Sequence, residues 1–157
     1  MGVMTDYFRA PSAAAVLEQM AQRDGGPLVI ENSDSSAFDG VELKFIDPPV
    51  ALGRLVAFAM GVAYHSDHVE HRLIWPDGEQ DPEHMGPWVI ALDDLTRDTL
   101  AGVPAQRVPE LADQWATIEE FDGLNLTEGF RPAVEQLTAL AGRARDSGES
   151  LYCWMSL

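Results

Sequence analysis

Apolar and polar positions change period several times along the chain, and each change marks an element. Val3 to Arg9 alternates loosely and carries Tyr7 and Phe8, which predicts a first strand. From Ser12 the period lengthens. Ala13, Val16, Leu17 and Met20 recur at helical steps, so a helix capped by Ser12 runs to about Arg23. Asp24-Gly25-Gly26-Pro27 stops it, since glycine and proline do not continue a helix cheaply. Leu28 to Glu31 is a short apolar piece with strand character, and Asn32 to Ser36 reads as a turn. Val41 to Ile46 sets Val, Leu and Phe against Glu and Lys, as a half-buried strand does. Asp47-Pro48-Pro49 opens a second helix, with Asp47 as cap and proline in the first turn. That helix carries Leu52, Leu55, Val56, Ala59 and Met60 on one side and ends near Gly61.

Tyr64 to Glu83 has no clear period, apart from a strand fragment at Leu73-Ile74-Trp75. Pro76 to Pro87 is polar and rich in proline and glycine, so it reads as a loop. Trp88 to Leu92 is an apolar strand, and Asp93 and Asp94 cap a short helix to about Leu100. Pro109 to about Phe121 places Leu111, Trp115, Ile118 and Phe121 at near-helical steps. Thr127 caps the longest helix, Glu128 to about Asp146, with Phe130, Val134, Leu137, Leu140, Ala141 and Ala144 inward. Ser147-Gly148 ends it, and Leu151 to Ser156 is an aromatic strand that buries Trp154 if it pairs centrally.

Strands interleaved with helices point to an α+β fold: one mixed sheet packed with about five helices. No repeat and no long Pro, Ser or Gly linker divides the chain, so residues 1–157 are expected to form a single domain.

Charge narrows the partners. With 26 acidic and 10 basic residues, the formal net charge is −16. Binding to a nucleic-acid backbone needs clustered Lys and Arg, so nucleic acid is excluded as a partner, and an anionic membrane surface with it. The apolar stretch Val50 to Tyr64 is interrupted by Arg54 and too short to span a bilayer. Met1 to Ala10 shows no signal-peptide pattern, and the one cysteine, Cys153, cannot form an internal disulfide. A cytoplasmic location is therefore expected. In that compartment the sequon Asn125-Leu126-Thr127 carries no meaning. The acidic excess suits either a solvated surface or recognition of a basic protein partner.

All four histidines lie in the unpatterned middle: His65, His68 and His71, then His84. Imidazole is a common transition-metal ligand, and zinc wants four N, S or O donors. On a helix, steps of three residues would spread the first three over about 120°, so adjacent pairs could chelate a divalent metal. Asp67 or Glu70 could add a carboxylate, and His84 could reach over from the loop. Against this, histidines at a helix end or on a loop need no ligand, and Asp67 with His71 is an ordinary exposed pair. No HExxH, GxSxG, Walker A or GxGxxG pattern occurs. Cys153 reads as a buried, inert thiol. The paired acids Asp93-Asp94 and Glu119-Glu120 read as caps or solvated charges. No catalytic residue is assigned. Trp75 and Trp88 flank the Pro76–Pro87 loop. If their strands pair antiparallel, that rim becomes a candidate partner surface, unless both rings belong to the core.

The chain ends carry a resemblance. Met1-Gly2-Val3-Met4-Thr5-Asp6-Tyr7-Phe8-Arg9, followed at once by a helix rich in Leu and Ala, is similar to the opening of the bacterial YfbM-like proteins, a domain family of unknown function. A helix like Phe130 to Arg145, leading through a glycine turn into a strand like Leu151 to Trp154, is similar to that family's close. The Trp–His segment that precedes the family's central helix has no counterpart in Val41 to Asp47. The resemblance implies an α+β domain and transfers no activity or catalytic residue.

Three functions follow as expectations. The first is a non-enzymatic binding or inhibitor module, immunity-like, recognising a basic partner. The second is a small-ligand- or metal-binding protein or enzyme using the histidine cluster. The third is a housekeeping domain acting through its own oligomer.

Overall fold

The computed structural model describes residues 3–31, 33–77, 81–124 and 129–157. Its first strand, β1 (Met4–Ala10), is buried along almost its whole length. Successive side chains of a strand point to opposite faces, so Thr5 and Tyr7 enter one core while Asp6, Phe8 and Ala10 face the other. Helix α1 (Ala13–Gln22) follows, its first turn closed by Ser12 Oγ, which accepts from the Ala15 amide at 3.2 Å. β2 (Gly40–Lys44) returns beside β1. Asp47 then accepts from the Val50 and Ala51 amides and opens a wide π-turn, Pro48–Leu52, that runs into α2 (Gly53–Met60). Gly61 ends α2 in the left-handed conformation, φ 71°, that glycine adopts without steric cost.

β3 (His71–Trp75) and β4 (Trp88–Leu92) pair antiparallel across the proline-rich loop. Asp93 caps α3 (Asp94–Ala101), accepting from the Thr96 amide at 3.0 Å. α4 (Val108–Trp115) is shorter than its apolar spacing predicts. Ile118 turns extended (φ −69°, ψ 147°), and the Thr117 hydroxyl donates back to the Gln114 carbonyl at 2.6 Å. Ile118 and Phe121 still reach the core, from the turns that follow. α5 (Arg131–Asp146) carries the expected inner face of Val134, Leu137, Leu140, Ala141 and Ala144. Thr127, Glu128 and the Asn125 sequon lie outside the described residues. β5 (Ser150–Ser156) ends the fold.

The five strands lie in the order β2-β1-β5-β4-β3, and every neighbouring pair is antiparallel. Among the described residues the fold is α+β with five α-helices, as expected, but the sheet is antiparallel throughout rather than mixed. The reason is connectivity: the helices join strands that are not parallel neighbours, so no βαβ crossover arises. Among the described residues no helix is long and apolar enough to cross a membrane.

Helices cover both faces. On one, α2, α3, α4 and α5 enclose Tyr7, Leu55, Leu111, Leu137 and Cys153 around the fully buried Trp115. The Trp115 indole donates to the Ala51 carbonyl at 2.8 Å and meets Phe121 and Phe130 edge-on, at 5.0 and 5.8 Å between ring centroids. On the other, α1 and residues 24–31 and 33–39 enclose Phe8, Val16, Met20, Tyr152 and Trp154. Leu28 and Val29 belong to this second core but form no strand. They pack over the sheet instead, with the Leu28 carbonyl accepting from the Ala37 amide at 2.9 Å.

Candidate functional site

The histidines do not lie on a helix. Residues 62–70 form turns and irregular backbone, so the spacing of three that would align His65, His68 and His71 has no helical axis to act on. His65 and His68 rings sit 5.5 Å apart, but His68 Nε2 is engaged with the Ala63 carbonyl at 2.6 Å. His71 begins β3, with Nδ1 at 3.2 Å from the Val69 carbonyl. His84 lies in the loop, bonded through Nε2 to the Pro87 carbonyl at 2.9 Å and edge-on to Trp88. Asp67 and Glu70 are exposed and take part in no salt bridge among the described residues. Among those residues no three His, Cys, Asp or Glu side chains are arranged to hold a metal ion.

Trp75 and Trp88 are half-buried. Trp75 packs against the second core, and with His84, Asp24 and Pro87 it lines a cavity of about 260 Å³. Met85, at 71% exposure, stands at the tip of this rim. Trp154, expected inside if its strand paired centrally, is inside, and its indole donates to the Gly25 carbonyl at 2.8 Å.

A different region gathers the more unusual chemistry. Asp6 lies in the middle of β1, opposite Glu42 of β2 on one side and Trp154 of β5 on the other. Its side chain is fully buried, and among the described residues neither carboxylate oxygen has a well-formed hydrogen bond, the Leu43 amide being the one backbone donor beside it. A buried charge without a partner is costly. Burial first, then the charges of Glu42 and Glu31, push its pKa from the ordinary 3.8 up to about 7, while the nearby Leu43 amide only partly offsets them. Glu31 and Glu42 are tied to each other. The Glu31 amide donates to the Glu42 carboxylate at 3.3 Å, and the Glu42 amide donates to the Glu31 carboxylate at 3.4 Å.

These acids stand at the outer edge of β2. A cavity of about 600 Å³ lies between residues 29–31 and 33–40 and α5, lined by Glu31, Asp34, Asp39 and Gln136 among others. It adjoins a second of about 300 Å³, which shares Glu31, Gly40 and Gln136 and adds Glu135 and Arg143. The loop is held in shape locally: Ser36 Oγ accepts from the Ile30 amide at 2.6 Å and donates to the Ile30 carbonyl at 2.9 Å. Arg23 donates to the Ser35 carbonyl at 2.5 Å.

The cations here are largely engaged. Arg143 makes a forked contact to Asp39 at 2.7 and 3.2 Å, and Arg9 bonds Asp39 at 2.8 Å and also Glu149. Partial burial raises the Asp39 pKa, but hydrogen bonds from Arg143 and Arg9 outweigh it and hold this carboxyl below its ordinary value. Glu31, Asp34 and Glu135 are exposed and form no salt bridge among the described residues.

Reasoning from the sequence assigned none of Asp6, Glu31 or Glu42 to a site. One signal was present: Asp6 sits inside a strand between Thr5 and the aromatic pair Tyr7-Phe8, where a charge has no ordinary place. Comparison with models of known protein families, with curated proteins and with solved structures finds no match.

Proposed function

We propose that this chain is a non-enzymatic binding protein, of the immunity or inhibitor kind, which receives a basic protein partner in the groove between residues 29–40 and α5. The observation that carries this reading is the charge state of the groove. Glu31, Asp34 and Glu135 surround it without ion-pair partners among the described residues, whereas Arg143 and Arg9 are already committed to Asp39 and Glu149. A concave surface lined by one sign of charge concentrates the field and steers a partner of opposite sign. The net charge of −16 extends that attraction beyond the contact itself.

The test uses a fluorescently labelled octa-arginine peptide and anisotropy. Affinity falls at least about tenfold between roughly 20 and 200 mM salt, as screening shortens the reach of the charges. The triple variant Glu31→Gln, Asp34→Asn, Glu135→Gln loses most of the binding. A control with the same change in net charge, Glu110→Gln, Asp113→Asn, Asp122→Asn on the α4 side, keeps most of it. Equal losses in the two triples would refute a localised site, and binding indifferent to salt would refute the electrostatic reading.

A further inference from the structure

Antiparallel pairing assigns each backbone group of β2 a direction. The Phe45 amide donates to the Val3 carbonyl at 2.9 Å, and the Arg9 amide donates to the Asp39 carbonyl at 3.1 Å. In the β1–β2 register, Val3/Phe45 and Arg9/Asp39 are therefore hydrogen-bonded pairs, as are Thr5/Leu43 and Tyr7/Val41 between them. The amides and carbonyls of Gly40, Glu42 and Lys44 then point away from β1, along an edge that no sixth strand covers among the described residues. The Glu42 amide among them donates to the side chain of Glu31.

We infer that this outer edge of β2 is the docking edge of the protein, taken by an extended basic segment of the partner that pairs backbone to backbone with Gly40, Glu42 and Lys44 and displaces the Glu31 carboxylate. The inference rests on the reading above and specifies how the partner binds.

Three observations support it. First, what occupies the edge is easily exchanged. The Glu31–Glu42 ties are long, 3.3 and 3.4 Å, and join two groups of like charge. Asp6 lies buried behind Glu42 and adds a third carboxyl to the same side of the sheet. A guanidinium or ammonium arriving at the edge comes between the like charges of Glu31 and Glu42. Second, there is room for a strand. The two adjoining cavities run beside Gly40, bounded by residues 29–31 on one side of the sheet and by Glu135, Gln136 and Arg143 of α5 on the other. Side chains of an added strand alternate between those two walls, and both carry carboxylates. Third, the opposite edge does not offer the same complement. There the Asp93 amide donates to the Glu70 carbonyl at 3.1 Å, which by the same alternation turns His71 and Leu73 outward, with Arg72 between them. The cations beside the β2 edge are Lys44 at its end, Arg143 held by Asp39, and Arg23 held at the Ser35 carbonyl.

The probe is an eight-residue peptide of alternating Arg and Thr, capped at both ends. Two further versions carry N-methyl groups on alternate amides, one on each edge. An N-methyl group removes a backbone donor and leaves the charge. The unmodified peptide is expected to slow amide hydrogen exchange at Gly40, Glu42 and Lys44 at least tenfold, read by NMR. One N-methylated version binds like the parent, and the other loses at least tenfold in affinity. Glu31→Ala accelerates exchange of the Glu42 amide in the free protein. If the peptide binds through the groove carboxylates but the three amides stay unprotected, and both N-methylated versions bind alike, the edge is not the docking element and the charge reading stands alone. If the peptide does not bind, or binds without regard to the groove carboxylates, both readings fall.

Discussion

Replacing Asp6 by Asn removes an ionisation and little else, which makes it the most direct test of how this sheet tolerates charge. In the folded protein the carboxyl is fully buried and faces Glu42 and Glu31, with only the Leu43 amide beside it to favour its charge, so its pKa stands near 7 instead of 3.8. Between those two values the folded state holds a proton that the unfolded chain has released. Stability therefore falls as pH rises from about 4 to about 7, and the full penalty persists above that window. A shift of about three units corresponds to about 4 kcal/mol at roughly 1.36 kcal/mol per unit. Asn cannot ionise and avoids the penalty. The stability of Asp6→Asn relative to wild type should thus be smallest near pH 4 and grow by about 4 kcal/mol towards pH 8. In a domain of this size that corresponds to roughly 10 °C in Tm. Urea unfolding followed by far-UV circular dichroism, at closely spaced pH values, measures the difference directly. Any fixed cost of burying the amide adds the same amount at every pH and does not alter the slope. Glu42→Gln should narrow the window from its upper end, because it removes the larger of the two like charges that raise the folded-state pKa of Asp6. A difference between Asp6→Asn and wild type that stays constant from about pH 4 to about pH 8.5 would refute the reasoning.

Two further perturbations probe the frame around the groove. A Cβ at Gly40 would lie 2.4 Å from the Tyr7 carbonyl oxygen, 2.6 Å from Val29 Cγ2 and 2.8 Å from Phe8 Cβ, so Gly40→Ala should destabilise by about 1–3 kcal/mol. A urea midpoint equal to wild type would show that the segment over β2 yields freely. Cys153 is fully buried between Tyr7 and Ile90 in the sheet register, and burial pushes its thiol pKa well up. It should resist an aromatic disulfide reagent in the native protein and react completely in concentrated guanidinium chloride, read by absorbance of the released thiolate. Rapid reaction of the native protein would overturn the burial argument.

What could be read from the sequence was mostly local. Ser12, Asp47 and Asp93 were legible as caps because a cap acts within its own helical turn. The β3–β4 pair was legible because two short apolar segments flank a loop of proline, glycine and acids. Ile118 and Phe121 were placed in the core by spacing that looked helical, yet they reach it from turns, since spacing alone does not distinguish the two. The histidines are close in sequence and suggested a site. Asp6, Glu31 and Glu42 are spread over 36 positions, and only strand pairing and the folding-back of residues 28–39 bring them together. No periodicity carries that information. The same is true of the β2 edge, whose exposure depends on which strands lie inside the sheet.

The place of β5 has a consequence for how the molecule is made. It is the last of the five strands to leave the ribosome, yet it lies between β1 and β4 and is what joins the two halves of the sheet. Until it arrives, β1 and β4 each present an unpaired backbone. Pairs such as Ala10 with Ser150 then close a loop of about 140 residues, shortened only by the β1–β2 and β3–β4 pairs and the helix contacts already formed within it. The nascent chain is thus an unfinished sheet with two open inner edges, each a template for pairing with a neighbouring chain until β5 is in place. Mutations in β5 should show themselves first as lost yield during synthesis.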